Sequence, residues 1–133
     1  MKVIQRRKYY QRLKTLTYNS DPDYIDHILG EINYLEEKSQ NLTIADFIED
    51  STLKRAFVRA VEVIGEAAKN ISPELKEKYS IVPWRNITGT RDKLIHGYFV
   101  IDYDLVYDIV KNNIPELKKQ LLDIRNKENF LFD

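Results

Sequence analysis

Apolar residues recur at steps of three and four along most of this chain, and that period constrains it to helices before any other feature is considered. The strongest run is Leu53, Ala56, Phe57, Ala60, Val61, Ile64, Ala67, Ala68 and Ile71, one stripe kept for about five turns. A second stripe follows Asp23 through Ile25, Ile28, Leu29, Ile32 and Leu35. A third runs from Leu105 and Val106 through Ile109 and Val110 to Leu117, Leu121 and Leu122, with Pro115 expected to kink it by removing a backbone donor. Four glycines and four prolines leave little material for the turns of an all-β fold. No strand is expected.

Punctuation between the stripes supports the same architecture. Asp21 before Pro22 reads as a cap followed by a first-turn proline, and Ser72-Pro73-Glu74 repeats that pattern ahead of a short helix ending near Tyr79. Thr43 and Asp46 have capping-box spacing, with Asp in place of the usual Glu or Gln. Val82-Pro83-Trp84 opens a further helix, expected to run through Arg91 and to stop at Gly97. Asp102 or Asp104 caps the last long helix. The expected fold is all-α, an antiparallel up-and-down bundle of four to five main helices. The chain divides into a basic N-terminal extension (1–20), a helical domain (21–128) and a frayed tail (129–133).

Composition excludes several classes of function. No run of 18 apolar residues is present to span a membrane, and the start MKVIQRRKYY lacks the apolar core of a signal peptide. The absence of cysteine removes disulfides and thiolate metal sites, and a cytoplasmic location is expected. Net charge is zero, so the chain as a whole carries no field for nucleic acid. Residues 1–20 are the exception: Lys2, Arg6, Arg7, Lys8, Arg12 and Lys14 alternate with tyrosines and precede any acid. Such an arm suits a phosphate backbone, and equally suits a solvated extension.

The chemistry-bearing segment is RDKLIHGY, Arg91 to Tyr98, which holds one of only two histidines. On a continuous helix, five residues would separate Arg91 and His96 by about 7.5 Å along the axis and turn them about 140° apart. Arg91 would then lie along Trp84, Ile87 and Ile95, while His96 would sit in the last turn, where the helix dipole favours its charged form. Imidazole can move a proton near neutral pH, and guanidinium can grip two phosphate oxygens. Together they supply what phosphodiester cleavage needs without a metal, since RNA brings its own 2′-hydroxyl nucleophile. A dipole-satisfying histidine and an arginine stacked on tryptophan is the plainer alternative. Trp84 is expected in the core and His27 on the surface.

Beyond spacing, these residues resemble a known family. RDKLIHGY carries the Arg-x4-His-x-Tyr signature of the HEPN superfamily. IGEAAKNI at 64–71, PW at 83–84 and the stretch TGTRDKLIHGYFVIDYDLVYDIV at 88–110 are similar to its HepT branch, small helical toxins encoded beside minimal nucleotidyltransferases. The similarity runs from about Asp23 to Leu122 and leaves residues 1–20 outside. It implies a homodimer whose two signature helices line a cleft, with Arg91 and His96 as the ribonuclease pair acting on RNA. It also implies that Tyr98 is the residue a partner nucleotidyltransferase modifies with ATP-derived AMP, silencing the toxin. No cofactor of its own and no membrane partner are implied. Asp92 is a candidate for orienting Arg91, Glu66 for pairing with it, and Lys93 for adding positive charge; each would serve equally as solvated surface. Gly65, costly within a helix, is expected to admit a close neighbour. Two further readings stay open: a non-catalytic subunit that holds a nucleotide for a nucleotidyltransferase, and a structural dimer with a basic arm.

Overall fold

The computed structural model describes residues 20–96 and 100–130. Three long helical segments pack on one another. The first, α1 (Asp21–Ser39), buries Ile25, Ile28, Leu29, Ile32 and Leu35 along the stripe its sequence carries. A short α2 (Ile44–Glu49) leads into α3 (Ser51–Asn70), which buries Phe57, Val61, Ile64 and Ala68. The chain then passes through α4 (Pro73–Lys78), α5 (Trp84–Thr88) and α6 (Thr90–Leu94) to a two-stranded ribbon, β1 (Ile95–His96) and β2 (Val100–Ile101). The third long segment begins with α7 (Tyr103–Asp108), continues through a π-helical turn over Ile109–Asn113 and ends as α8 (Ile114–Lys127).

Long-range polar contacts fix how these segments run. Asp21, at the start of α1, accepts hydrogen bonds from the Ser72 backbone N–H (2.8 Å) and hydroxyl (2.6 Å), just past the end of α3. These two helices are therefore antiparallel. At the other end of α1, Lys111 Nζ donates to the Ser39 carbonyl at 2.6 Å, satisfying a terminal acceptor of the helix. Farther along, Lys118 Nζ meets Glu36 Oε2 at 2.6 Å, so α8 also runs against α1. The core between them includes Phe47, Phe57, Leu94, Val106, Leu121 and Ile124, all essentially sealed from solvent. Phe57 stands edge-on to Tyr34 at 6.4 Å and lies against Phe47 at 5.1 Å between ring centroids.

At the far end of α8 a polar clasp holds the last turn. Lys78 Nζ and Tyr79 Oη each donate to Glu128 Oε2 at 2.8 Å. Those two hydrogen bonds hold the Glu128 carboxyl below its ordinary range. Trp84 is buried, as expected, and its indole N–H donates to the Tyr79 carbonyl at 3.1 Å. No helix among the described residues is long and apolar enough to cross a membrane.

The bundle matches the all-α expectation, and three local expectations are corrected. Ser20 rather than Asp21 precedes the first helix, donating from its backbone N–H and its hydroxyl to Asp23 Oδ2; Asp21, already inside the helix, bridges to Ser72. The helix expected from Val82 to Gly97 is two short helices broken at Gly89. A Cβ there would lie 3.1 Å from the Arg85 carbonyl, so this tight turn is made where a side chain would crowd backbone. Two short strands exist where none was expected. Before Pro115 the last helical segment changes from α to π geometry. The proline ring would press on the carbonyl four residues back, and the wider turn before it relieves this: Ile114 N–H reaches five residues back to the Ile109 carbonyl. Residues 1–19, the Gly97 helix stop, Tyr98, Phe99 and the tail from 131 lie outside the described residues.

Candidate functional site

Three elements assemble the site around the RDKLIHGY segment. Gly65 on α3 sets its base: a Cβ at that position would lie 3.2 Å from the Ile87 carbonyl, so the missing side chain lets α5 settle closely on α3. After the break at Gly89, α6 has no side-chain cap at its start; Thr90 Oγ1 instead donates back to the Asn86 carbonyl at 2.8 Å. Within α6 only Leu94 is buried, at 1% exposure, and it fastens the segment to the core. Arg91, Asp92 and Lys93 are exposed.

Beyond Leu94 the chain extends rather than turns. Ile95 pairs with Ile101 and His96 with Val100 in the antiparallel ribbon. His96 is therefore not in the last turn of a helix, and neither the dipole argument nor the 140° separation applies to it. The first four residues of Arg91–His96 are helical and the last two extended, so the ribbon decides where the imidazole lies relative to the guanidinium. Gly97, Tyr98 and Phe99 join the strands and lie outside the described residues.

The residue that sequence reasoning weighed only as a helix cap is Asp102. Its backbone N–H donates to the Leu94 carbonyl at 2.8 Å, closing the base of the ribbon. One carboxylate oxygen accepts the Leu105 N–H at 3.0 Å and caps α7. The other stands 3.6 Å from His96 Nε2, an ion-pair spacing rather than a hydrogen bond. Asp102 thus joins a buried anchor, a helix start and the imidazole, leaving His96 Nδ1 as the nitrogen not paired with it. Strand register is the signal that would have found it, and that register is invisible to helical periodicity.

Glu66 and Arg91 are not brought together. Glu66 is exposed on α3, and the ion pairs among the described residues lie elsewhere. Lys93 lines a cavity of about 410 Å³ between α3, α5, α6, the π-helical turn and α8. Arg91 does not line that cavity. His27 is exposed on α1. Among the described residues no cluster of three or more His, Asp or Glu side chains is placed to ligate a metal ion.

The model of the family described as "Ribonuclease HepT-like" matches residues 28–124. A protein of Caldanaerobacter subterraneus named as a candidate RNase is 48% identical over 105 residues, covering 79% of this chain and 94% of that one. The "Probable ribonuclease HepT" of Thermococcus cleftensis is 39% identical over 106 residues, 80% of this chain and 96% of that protein. A longer protein of Methanocaldococcus jannaschii, whose name joins a gamma-glutamylcyclotransferase to a candidate RNase, is 40% identical over 111 residues; the match spans 80% of this chain and 50% of that protein. No solved structure matches.

Proposed function

Because this chain belongs to the HepT-like ribonuclease family, we propose that it is a metal-independent endoribonuclease, the toxin of a pair completed by a minimal nucleotidyltransferase. The observation that carries the proposal is the exposure of Arg91 and His96 on two adjoining elements fastened by one buried residue, with Asp102 beside the imidazole. His96 takes the proton from the 2′-hydroxyl of RNA, whose oxygen attacks the neighbouring phosphorus. The bond to the 5′-oxygen breaks, that oxygen takes a proton from water as it leaves, and His96 afterwards returns its proton to the solvent. The products are a 2′,3′-cyclic phosphate and a 5′-hydroxyl. Arg91 holds the non-bridging oxygens, where charge accumulates in the transition state. The imidazole and guanidinium that meet one phosphate come from two subunits of a homodimer. Transfer of AMP to Tyr98 by the partner enzyme sets a bulky anion beside His96, which competes with RNA phosphate and silences the toxin.

The test is cleavage of single-stranded RNA by purified, unmodified protein in the presence of chelator. The expected result is 2′,3′-cyclic ends. His96→Ala should lower the rate by about 10²–10⁴-fold, the usual worth of a general acid–base. Arg91→Ala should lower it by about 10²–10³-fold, and Arg91→Lys should restore little of it. Equal activity in wild type and His96→Ala would refute the proposal. Intact mass after co-expression with the nucleotidyltransferase should rise by AMP increments that Tyr98→Phe abolishes.

A further inference from the structure

We infer that the cavity beside α6 is a nucleobase pocket, holding the base of a nucleotide next to the one cleaved; this rests on the ribonuclease reading for its role but not for its chemistry. The pocket's floor is apolar, built by Val61 and Ile64 of α3, Ile87 of α5 and Leu117 of α8. Around that floor stand the carboxamides of Asn86, Asn112, Asn113 and Gln120. A cavity of about 410 Å³ with an apolar bed and a few convergent amides has the character of a small-ligand site. Amides carry both a donor and an acceptor, which is the pattern that base edges present.

Charge is distributed to match a nucleotide rather than a purely apolar guest. Lys93 stands at the rim on the α6 side and suits a phosphate. Glu116 stands on the α8 side, where a carboxylate accepts from an exocyclic amine and repels phosphate. The ligand's polarity is therefore oriented, with its phosphate toward α6 and its base toward α8. Asn86 and Asn113 are exposed and Gln120 half-buried, so their amides are accessible to it. Asn112 gives one N–H to Asp108 at 2.6 Å and retains its carbonyl oxygen as an acceptor.

A second, independent feature points to the same place. Ile109, Asn112 and Asn113 belong to the π-helical turn, a rare conformation that concentrates at functional sites. The extra residue in that turn changes which side chains face inward, and brings two consecutive asparagines to the cavity. α6 links this pocket to the chemistry. Lys93 and Arg91 lie about 160° apart around its axis, so a strand crossing the helix can meet both flanks.

The probes are adenosine, guanosine, cytidine and uridine 5′-monophosphates, with inorganic phosphate as control, read by side-chain amide NMR of the full chain. We expect at least one monophosphate to shift the Asn86, Asn113 and Gln120 amides saturably, and phosphate alone to leave them unmoved. Asn113→Asp keeps the shape but removes the donor pair, and should weaken that binding by about tenfold. A single abasic residue beside the scissile position of an RNA oligonucleotide should raise KM severalfold in wild type and have no added effect in Asn113→Asp. Amides that ignore every monophosphate up to millimolar concentration, or that respond only to protein concentration because a second copy covers them, overturn the inference. Cleavage with silent amides would leave the ribonuclease reading standing alone. Nucleotide binding without cleavage would leave the pocket standing and remove the ribonuclease.

Discussion

At the scale of single residues, Asp102 makes the most informative target because its two carboxylate oxygens do different work. Asn can cap a helix nearly as well as Asp, so Asp102→Asn should keep α7 capped while removing the charge 3.6 Å from His96. Its melting temperature should stay close to wild type and its kcat should fall, with KM little changed. Asp102→Ala loses the cap as well and should be destabilised by about 1 kcal/mol. Equal kcat in Asp102→Asn and wild type would reduce the residue to a cap. The sequence made Arg91 and His96 legible as a candidate pair through residue type and the family resemblance. It did not reveal the approach of Asp102 to His96, because a contact across a two-residue ribbon leaves no periodic trace. Nor did it show that Lys93 turns toward a cavity while Arg91 does not.

Elements were legible in proportion to how long their period lasts. The 20 residues of α3 write the same stripe several times over, and the structure buries that stripe. By contrast, α5 and α6 have five residues each, and β1 and β2 two, too few for either period to declare itself. Gly97 offers a plausible helix stop in the sequence, and nothing in the helical period marks the earlier break at Gly89. Gly65 was legible as a close approach, and the structure supplies its neighbour, the Ile87 carbonyl. A larger side chain there must push α5 away from α3 and carry the signature segment with it. Gly65→Leu should therefore lower the melting temperature, with the cost of overpacking about 1–3 kcal/mol, and should reduce cleavage by more than its unfolded fraction explains. Thermal melting followed by activity at a temperature where the variant is fully folded separates the two effects.

For the molecule as a whole, closure depends on contacts between distant segments, and one of them is sensitive to acid. Lys78 and Tyr79 hold the Glu128 carboxyl below its ordinary value of 4.5. A carboxyl with a lowered native pKa stabilises the fold fully above the unfolded value and loses that contribution as pH falls through the native one. Glu128→Gln should thus be less stable than wild type at neutral pH, and the gap should narrow below pH 4.5. Denaturant midpoints measured across that range check the sign; a gap that widens in acid would contradict it. Phe57, wholly enclosed beside Phe47 and Tyr34, marks the other extreme. Phe57→Ala should cost about 3–5 kcal/mol at any pH, enough to unfold a marginal domain.

The ribbon that presents His96 has two residue pairs, one backbone bond from Asp102 to Leu94, and solvent on its outer side. Structure of that size opens by itself long before a bundle melts. Warming should therefore blunt the enzyme while its helices remain intact, and cooling should restore it. Its working range should then be set by the ribbon rather than by the helices around it.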